Sequence, residues 1–279
     1  MARKAKSSRG ASALGDAFRV RPGARLKLAS IDPSDTHGHR RDRSERELTA
    51  GLDRLSGLQD RLWAESKHSV LVVLQGIDAS GKDGTVRHVM GAFNPQGCPT
   101  TSFKVPAGAE VSHDYLWRVH ARVPGRGEIA IFNRSHYEDV LVVRVHDFVP
   151  KTVWSQRYAQ INDFERMLAE NGTTIVKFFL WIDRDEQRRR FQARLDDPTK
   201  RWKFAMGDLD ERKLWDDYVA AFEDALSKCS TDWAPWYVIP ANRKWFRNLA
   251  VAEILADTIE ELDPRYPDRP DLPATVVVE

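Results

Sequence analysis

The sequence predicts an α/β fold, a parallel sheet with helices on both faces. Three observations carry this expectation. Apolar, β-branched stretches alternate with stretches of helical periodicity across residues 43–262. The first of them, Ser69 to Leu74, is apolar and β-branched in the manner of a strand covered on both faces. Between it and the next helix runs Gly76-Ile77-Asp78-Ala79-Ser80-Gly81-Lys82-Asp83-Gly84-Thr85, a glycine-rich turn from strand to helix. Strands separated by helices pair in parallel, and a ligand then sits beyond their carboxyl ends.

Each element follows in order. Residues 1–42 are rich in Arg, Ser, Gly and His and have weak periodicity, so they are expected to form a basic, flexible arm. Leu48, Leu52, Leu55, Leu58 and Leu62 recur at helix spacing and place a helix over 43–65. After the first strand and the loop, a helix runs to about Ala92. Thr100 to Val105 reads as a second strand, Ser112 to Val123 as a helix, and Glu128 to Phe132 as a third strand ending at Asn133-Arg134-Ser135. Trp154, Tyr158, Ile161, Phe164 and Leu168 mark one face of a long helix. Thr173 to Trp181 is the fourth strand, and Asp183 to Leu195 a highly charged helix. Trp215, Tyr218, Val219, Phe222 and Leu226 mark another helix, Trp236 to Ile239 the fifth strand, and residues 244–262 the last helix. The tail, 263–279, carries Pro264, Pro267, Pro270 and Pro273 and is expected to be irregular. No internal repeat is visible.

Bulk properties narrow the function. A chain of 279 residues with 42% hydrophobic and 30% charged residues can bury a sizeable core as a soluble protein. No apolar run approaches the roughly 18 residues needed to cross a bilayer. The basic N-terminus lacks the apolar stretch of a secretory signal. Cys98 and Cys229 are the two cysteines, too few for a disulfide framework, so a reducing, cytoplasmic setting is expected. The net charge of +2 hides an asymmetry, because residues 1–46 hold 12 Lys and Arg against 5 Asp and Glu. Such a tail can touch a polyanion or simply be solvated.

Gly76 to Lys82 fits G-x-x-x-x-G-K, the phosphate-loop pattern. Glycines let successive N–H groups face one phosphate, and the following helix directs its positive end at the same point. Gly76, Ala79, Ser80, Gly81, Asp83, Gly84 and Thr85 are the candidate phosphate-binding positions, with Lys82 as a mobile ammonium. Asp83 stands where a Ser or Thr usually helps to hold Mg²⁺. Asp78 puts a carboxylate into the loop, unfavourable beside a polyanion unless a cation neutralises it. Asp78 is therefore a candidate Mg²⁺ ligand, direct or through water; the other reading is a cap on the following helix.

Joined to Phe132-Asn133-Arg134-Ser135-His136-Tyr137, this loop resembles that of the family-2 polyphosphate kinases. The likeness continues through Glu186-Gln187-Arg188-Arg189-Arg190-Phe191 and Asp197-Pro198-Thr199-Lys200-Arg201-Trp202-Lys203. It extends to Trp215-Asp216-Asp217-Tyr218 and to Ala234-Pro235-Trp236-Tyr237-Val238-Ile239-Pro240-Ala241, covering roughly 43–262. The resemblance implies a three-layer P-loop kinase fold similar to thymidylate kinase, with a helical lid. It implies Mg²⁺-dependent phosphoryl transfer between inorganic polyphosphate and nucleoside mono- or diphosphates, and a dimer or tetramer. Many members have Asp, a metal-holding carboxylate, where Asn133 stands; Glu138 and Asp139 are candidates to replace it. The run Asn133 to Val140 resembles a subgroup that uses both AMP and ADP.

Polyphosphate offers no apolar handle, so Arg, Lys and backbone N–H groups must hold it. Arg134 follows the third strand, close to the expected position of the loop. Lys104, and Arg118 with Arg122 four residues apart on one helix face, are candidates to line a channel; the alternative is a surface face with exposed ion pairs. Arg190 and Arg194 share a face of the charged helix, and Lys200, Arg201 and Lys203 follow Pro198. Residues 184–207 are therefore expected to form a lid over the phosphates, although a generic charged helix has the same composition.

Trp154, Trp215 and Trp236 are expected in the core, and Tyr137 and Trp202 are candidates to border the base. His113, His120, His136 and His146 form no zinc pattern.

The resulting expectation is transfer between polyphosphate and AMP or ADP, with GDP a further acceptor. Asp78, Lys82 and Arg134 carry the chemistry. The rival is an ATP-dependent nucleotide kinase of the thymidylate or adenylate type. A polyanion or nucleic-acid binder using the basic arm is a third reading, but no nucleic-acid-binding module is present.

Overall fold

Ser69–Gln75 form the first strand, β1, and all seven residues are buried. Such a strand needs a layer of helices above and below it. The computed structural model describes residues 13–269, 271 and 275; the first twelve residues of the expected arm and nearly all of the tail past Arg269 lie outside them. β1 lies between β3 (Ile129–Asn133) and β4 (Thr173–Trp181), with β2 (Thr100–Ser102) and β5 (Trp236–Pro240) at the edges. All neighbours in the order β2-β3-β1-β4-β5 are parallel. Val70 to Leu74 are fully buried. Each such side chain contributes about 1.5–3 kcal/mol relative to exposure.

The helices in chain order are α1 (Ala13–Phe18), α2 (Arg41–Glu65), α3 (Lys82–His88), α4 (Trp117–His120), α5 (Val142–Val145), α6 (Lys151–Trp154), α7 (Arg157–Glu170), α8 (Arg184–Asp196), α9 (Gly207–Lys213), α10 (Trp215–Cys229) and α11 (Lys244–Glu260). α1, α2, α3 and α11 pack together on one face of the sheet; α5, α7 and α10 pack on the other. α2 buries Leu55, Leu58 and Leu62, with Leu48 and Leu52 half-covered. It stops at Ser66 (φ 51°), whose N–H returns to Leu62 O. Trp154, Trp215 and Trp236 are core residues, as their spacing predicts.

Four expectations change. Residues 13–42 do not form an extended arm: Leu14, Phe18, Val20 and Leu28 are buried, and Val20 N–H bonds Trp236 O at the edge of β5. The expected helix over Ser112–Val123 shrinks to α4. Asp114 Oδ1 accepts from the N–H groups of both Leu116 and Trp117, which starts the helix late, and Pro124 follows soon after. β2 stops at Ser102, since Val105, which is 87% exposed, precedes Pro106 and can pair no further. The long helix around Trp154 to Leu168 is two helices, α6 and α7.

Candidate active site

The loop begins where β1 ends. At Gly76 (φ 155°) a side chain would meet Leu180 O at 2.8 Å and Ser80 Oγ at 2.6 Å, so the turn admits only glycine. Ala79 (φ 65°) and Gly81 (φ 108°) take the left-handed conformation that curls the chain. Strain of this kind, at a non-glycine residue such as Ala79, concentrates at functional sites. Ser80 N–H closes the curl on Ile77 O at 3.0 Å. Ser80 Oγ is buried without a hydrogen-bond partner. Lys82, 9% exposed, folds back over the loop and donates to Gly76 O at 2.6 Å. Burial draws its ammonium below the usual lysine range, with Asp78 acting in the other direction.

The turn after β3 faces this loop because β1 and β3 are neighbours, Leu74 pairing with Asn133. Arg134 (φ 61°) donates to Asp78 Oδ1 at 3.0 Å and lies 3.7 Å from Glu138. Burial works against its charge, but Glu138 and Asp78 outweigh it and hold the guanidinium above its ordinary range. Glu138 is raised by burial, against Arg134 and Lys82. Gln75 Nε2, at the end of β1, donates to Ser135 Oγ and to Glu138 Oε1, both at 3.1 Å. Asn133 Nδ2 donates to Asp83 Oδ1 at 2.8 Å.

Beneath the turn, Glu165 accepts from Lys177, from Tyr137 OH at 2.9 Å and from His136 Nε2 at 3.1 Å, all in the fully buried interior. Burial alone would raise Glu165, but Lys177 and His136 hold it low. The residues after Arg134 are thus fixed to the sheet by charge-assisted hydrogen bonds.

A phosphate-ready loop, an ammonium, a guanidinium and two carboxylates therefore converge beyond the ends of β1 and β3. Comparison with known proteins gives the family. The profile of Polyphosphate kinase 2 (PPK2) matches residues 38–267. The chain belongs to the polyphosphate kinase 2 family. It is 54% identical over 264 residues to an AMP/ADP-polyphosphate phosphotransferase of Meiothermus ruber, covering 94% of this chain and 99% of that one. It is 45% identical to an ADP-polyphosphate phosphotransferase of Rhodopseudomonas palustris, covering 90% of this chain and 91% of the relative. The crystal structure of Polyphosphate Kinase 2 from Arthrobacter aurescens TC1 superposes with a TM-score of 0.90 at 44% identity, over 95% of each chain.

In this polyphosphate kinase 2 family member, carboxylates able to hold a divalent cation border the loop. Asp78 is half-buried and Glu138 and Asp83 are near the same loop. Among the described residues no three His, Cys, Asp or Glu side chains form a ready-made metal cage.

Other expected site residues fall elsewhere. Arg190 is turned to the loop backbone and not into open space. It is 8% exposed and donates to the carbonyls of Ala79, Ser80, Ala241 and Asn242 and to Glu186, so it braces the loop from behind. Gln187 Nε2 adds a bond to Asp78 O at 3.0 Å. The first half of α8 is thus bolted to the loop. Arg194 lies over Phe191, Lys200 pairs with Asp197, and Lys203 lies over the exposed Trp202.

Arg118 is buried on Lys104 O, Glu110 and the Phe103 ring instead of lining a channel; Lys104 and Arg122 have exposed side chains. Thr85 Oγ1 bonds Gly81 O, and Gly84 faces Arg247. Tyr137 is fully buried and cannot border a base. Asp139 pairs with Arg157 rather than supplying a carboxylate to the site.

Sequence reasoning missed Gln75, Glu165, Lys177, Gln187 and Arg247. Lys177 alone carried a signal, a charge in the middle of an apolar strand that demands a buried partner.

Proposed function

We propose that this chain moves a terminal phosphoryl group between inorganic polyphosphate and AMP or ADP, with Mg²⁺, and that GDP is a further acceptor. The observation that carries it is the Arg134–Asp78 contact at 3.0 Å, which joins the turn after β3 to the curled loop that holds Lys82. The loop N–H groups, Lys82 and Arg134 bind the end of the polyphosphate. The bond between the terminal phosphorus and its bridging oxygen breaks as a phosphate oxygen of the nucleotide attacks in line. Charge spreads over the transferring group, and Lys82 and Arg134 stabilise it. The nucleotide oxygen is already ionised, so no general base is needed. Asp78, with Glu138 and Asp83, would hold Mg²⁺, which supplies neutralisation of the phosphate charge when bound. The names of the relatives at 54% and 45% identity support this reading. We also propose a homo-oligomer, to be read from its mass in solution.

The test mixes AMP, ADP or GDP with long-chain polyphosphate and Mg²⁺, and separately with ATP as donor. Nucleotide products that appear with polyphosphate alone are expected. Transfer from ATP with none from polyphosphate would establish the nucleotide-kinase rival instead.

A further inference from the structure

Behind the loop lies a cation that no acidic group among the described residues answers. Arg247, near the start of α11, is 2% exposed. Its Nε and Nη2 donate to Asn248 Oδ1, at 3.1 and 2.7 Å, which is a neutral amide. The charged group that acts on it is a second cation, Arg190. Burial, with Arg190 beside it, draws the guanidinium down to about 9, and it stays protonated at neutral pH. Lys244, on the same side, is lowered by burial and then by Arg190 and Arg247; Glu186, bonded to Arg190, is the acidic group there.

The guanidinium fills the space that side chains at two loop glycines would take. A Cβ at Gly81 would lie 1.9 Å from Arg247 Nη1 and 3.6 Å from Arg190 Nη1, and one at Gly84 3.1 Å from Arg247 Nη2. Both arginines therefore press on the backbone that forms the cradle. Arg190 takes the Ser80 carbonyl at 2.7 Å. In a planar trans peptide the Gly81 N–H then points the opposite way, away from Arg190.

An unpaired buried charge is costly to a folded protein. We propose that Arg247 is a positioning residue that holds positive potential behind the loop, and that bound polyphosphate is the counter-charge the substrate-free protein lacks. The inference rests on the phosphotransfer proposed above. Arg247 touches no reacting atom; it acts through the loop backbone it abuts. Two effects of opposite sign follow. Removing the charge relieves the free protein and weakens its hold on the polyanion.

The experiment compares the full chain with Arg247→Met and Arg247→Lys. It reads the substrate-free Tm, the Tm shift on adding inorganic tripolyphosphate, and KM and kcat for polyphosphate and for ADP. Arg247→Met is expected to raise the substrate-free Tm by about 2–4 °C. It should raise the polyphosphate KM about tenfold and shrink the tripolyphosphate shift, leaving the ADP KM within about twofold. Arg247→Lys should recover most of the polyphosphate KM. A Met variant with an unchanged tripolyphosphate shift, or one that melts lower or does not fold, overturns the inference and leaves Arg247 a mere plug. The tripolyphosphate shift needs no turnover. A wild type that binds tripolyphosphate but makes no product from polyphosphate counts against the proposed function, not against this role.

Discussion

Asn133 and Asp83 show how single residues set the charge of the site. One amide meets one carboxylate at 2.8 Å. Asn133→Asp would put two carboxylates in that contact, where both cannot ionise cheaply. The variant should lose about 1–3 kcal/mol of stability at neutral pH in urea denaturation, and the exchange Asp83→Asn with Asn133→Asp should recover most of it. Glu138 gives a pH signature. Its folded value is raised above 4.5 by burial, so the folded protein holds the proton more tightly than the unfolded chain. Its contribution to stability is full below the ordinary value and is lost as pH rises through the raised one. Glu138→Gln, neutral at every pH, should raise the substrate-free Tm at roughly pH 7.5 and leave it nearly unchanged at about pH 4. The loop residues were legible because the chemistry of a phosphate cradle dictates glycine and lysine at fixed spacing. Arg190 was not, because a helix rich in arginine does not declare which one turns inward.

At the scale of elements, the first half of α8 is a brace for the loop. Arg190 and Gln187 tie its first half to the loop, while Lys200 and Trp202 lie exposed beyond Asp196. Arg190→Ala would strip a hydrogen-bond partner from four carbonyls. It should cost about 3–5 kcal/mol in denaturant unfolding and cut turnover as the loop relaxes. The strands were legible from their apolar runs, but their order in the sheet was not, because parallel pairing alone allows several orders. The four changed expectations have local causes, and two of them show the pattern. Asp114 reassigns the start of α4 through side-chain bonds that periodicity does not register. The segment before residue 42 packs through a few anchors, Leu14, Phe18, Val20 and Leu28, among polar residues that read as an arm.

At the scale of the whole molecule, the parallel sheet brings together residues 56 positions apart in sequence, Asp78 and Arg134. The buried group of Glu165, Lys177, His136 and Tyr137 secures one side of that junction to β4 and α7. Glu165→Leu would leave Lys177 uncompensated and should cost about 3–5 kcal/mol, whereas Glu165→Leu with Lys177→Met should be much less damaging. Urea titrations of the two variants separate these outcomes.

The convergence of Lys82 and Arg134 on one phosphoryl group is tested most directly by following ³¹P transfer from polyphosphate to ADP. Wild type, Lys82→Met and Arg134→Met would be compared at saturating substrate, with circular dichroism to verify folding. Both variants should fold and lose about 10²–10³-fold in turnover. Near-normal turnover in either folded variant would contradict the account.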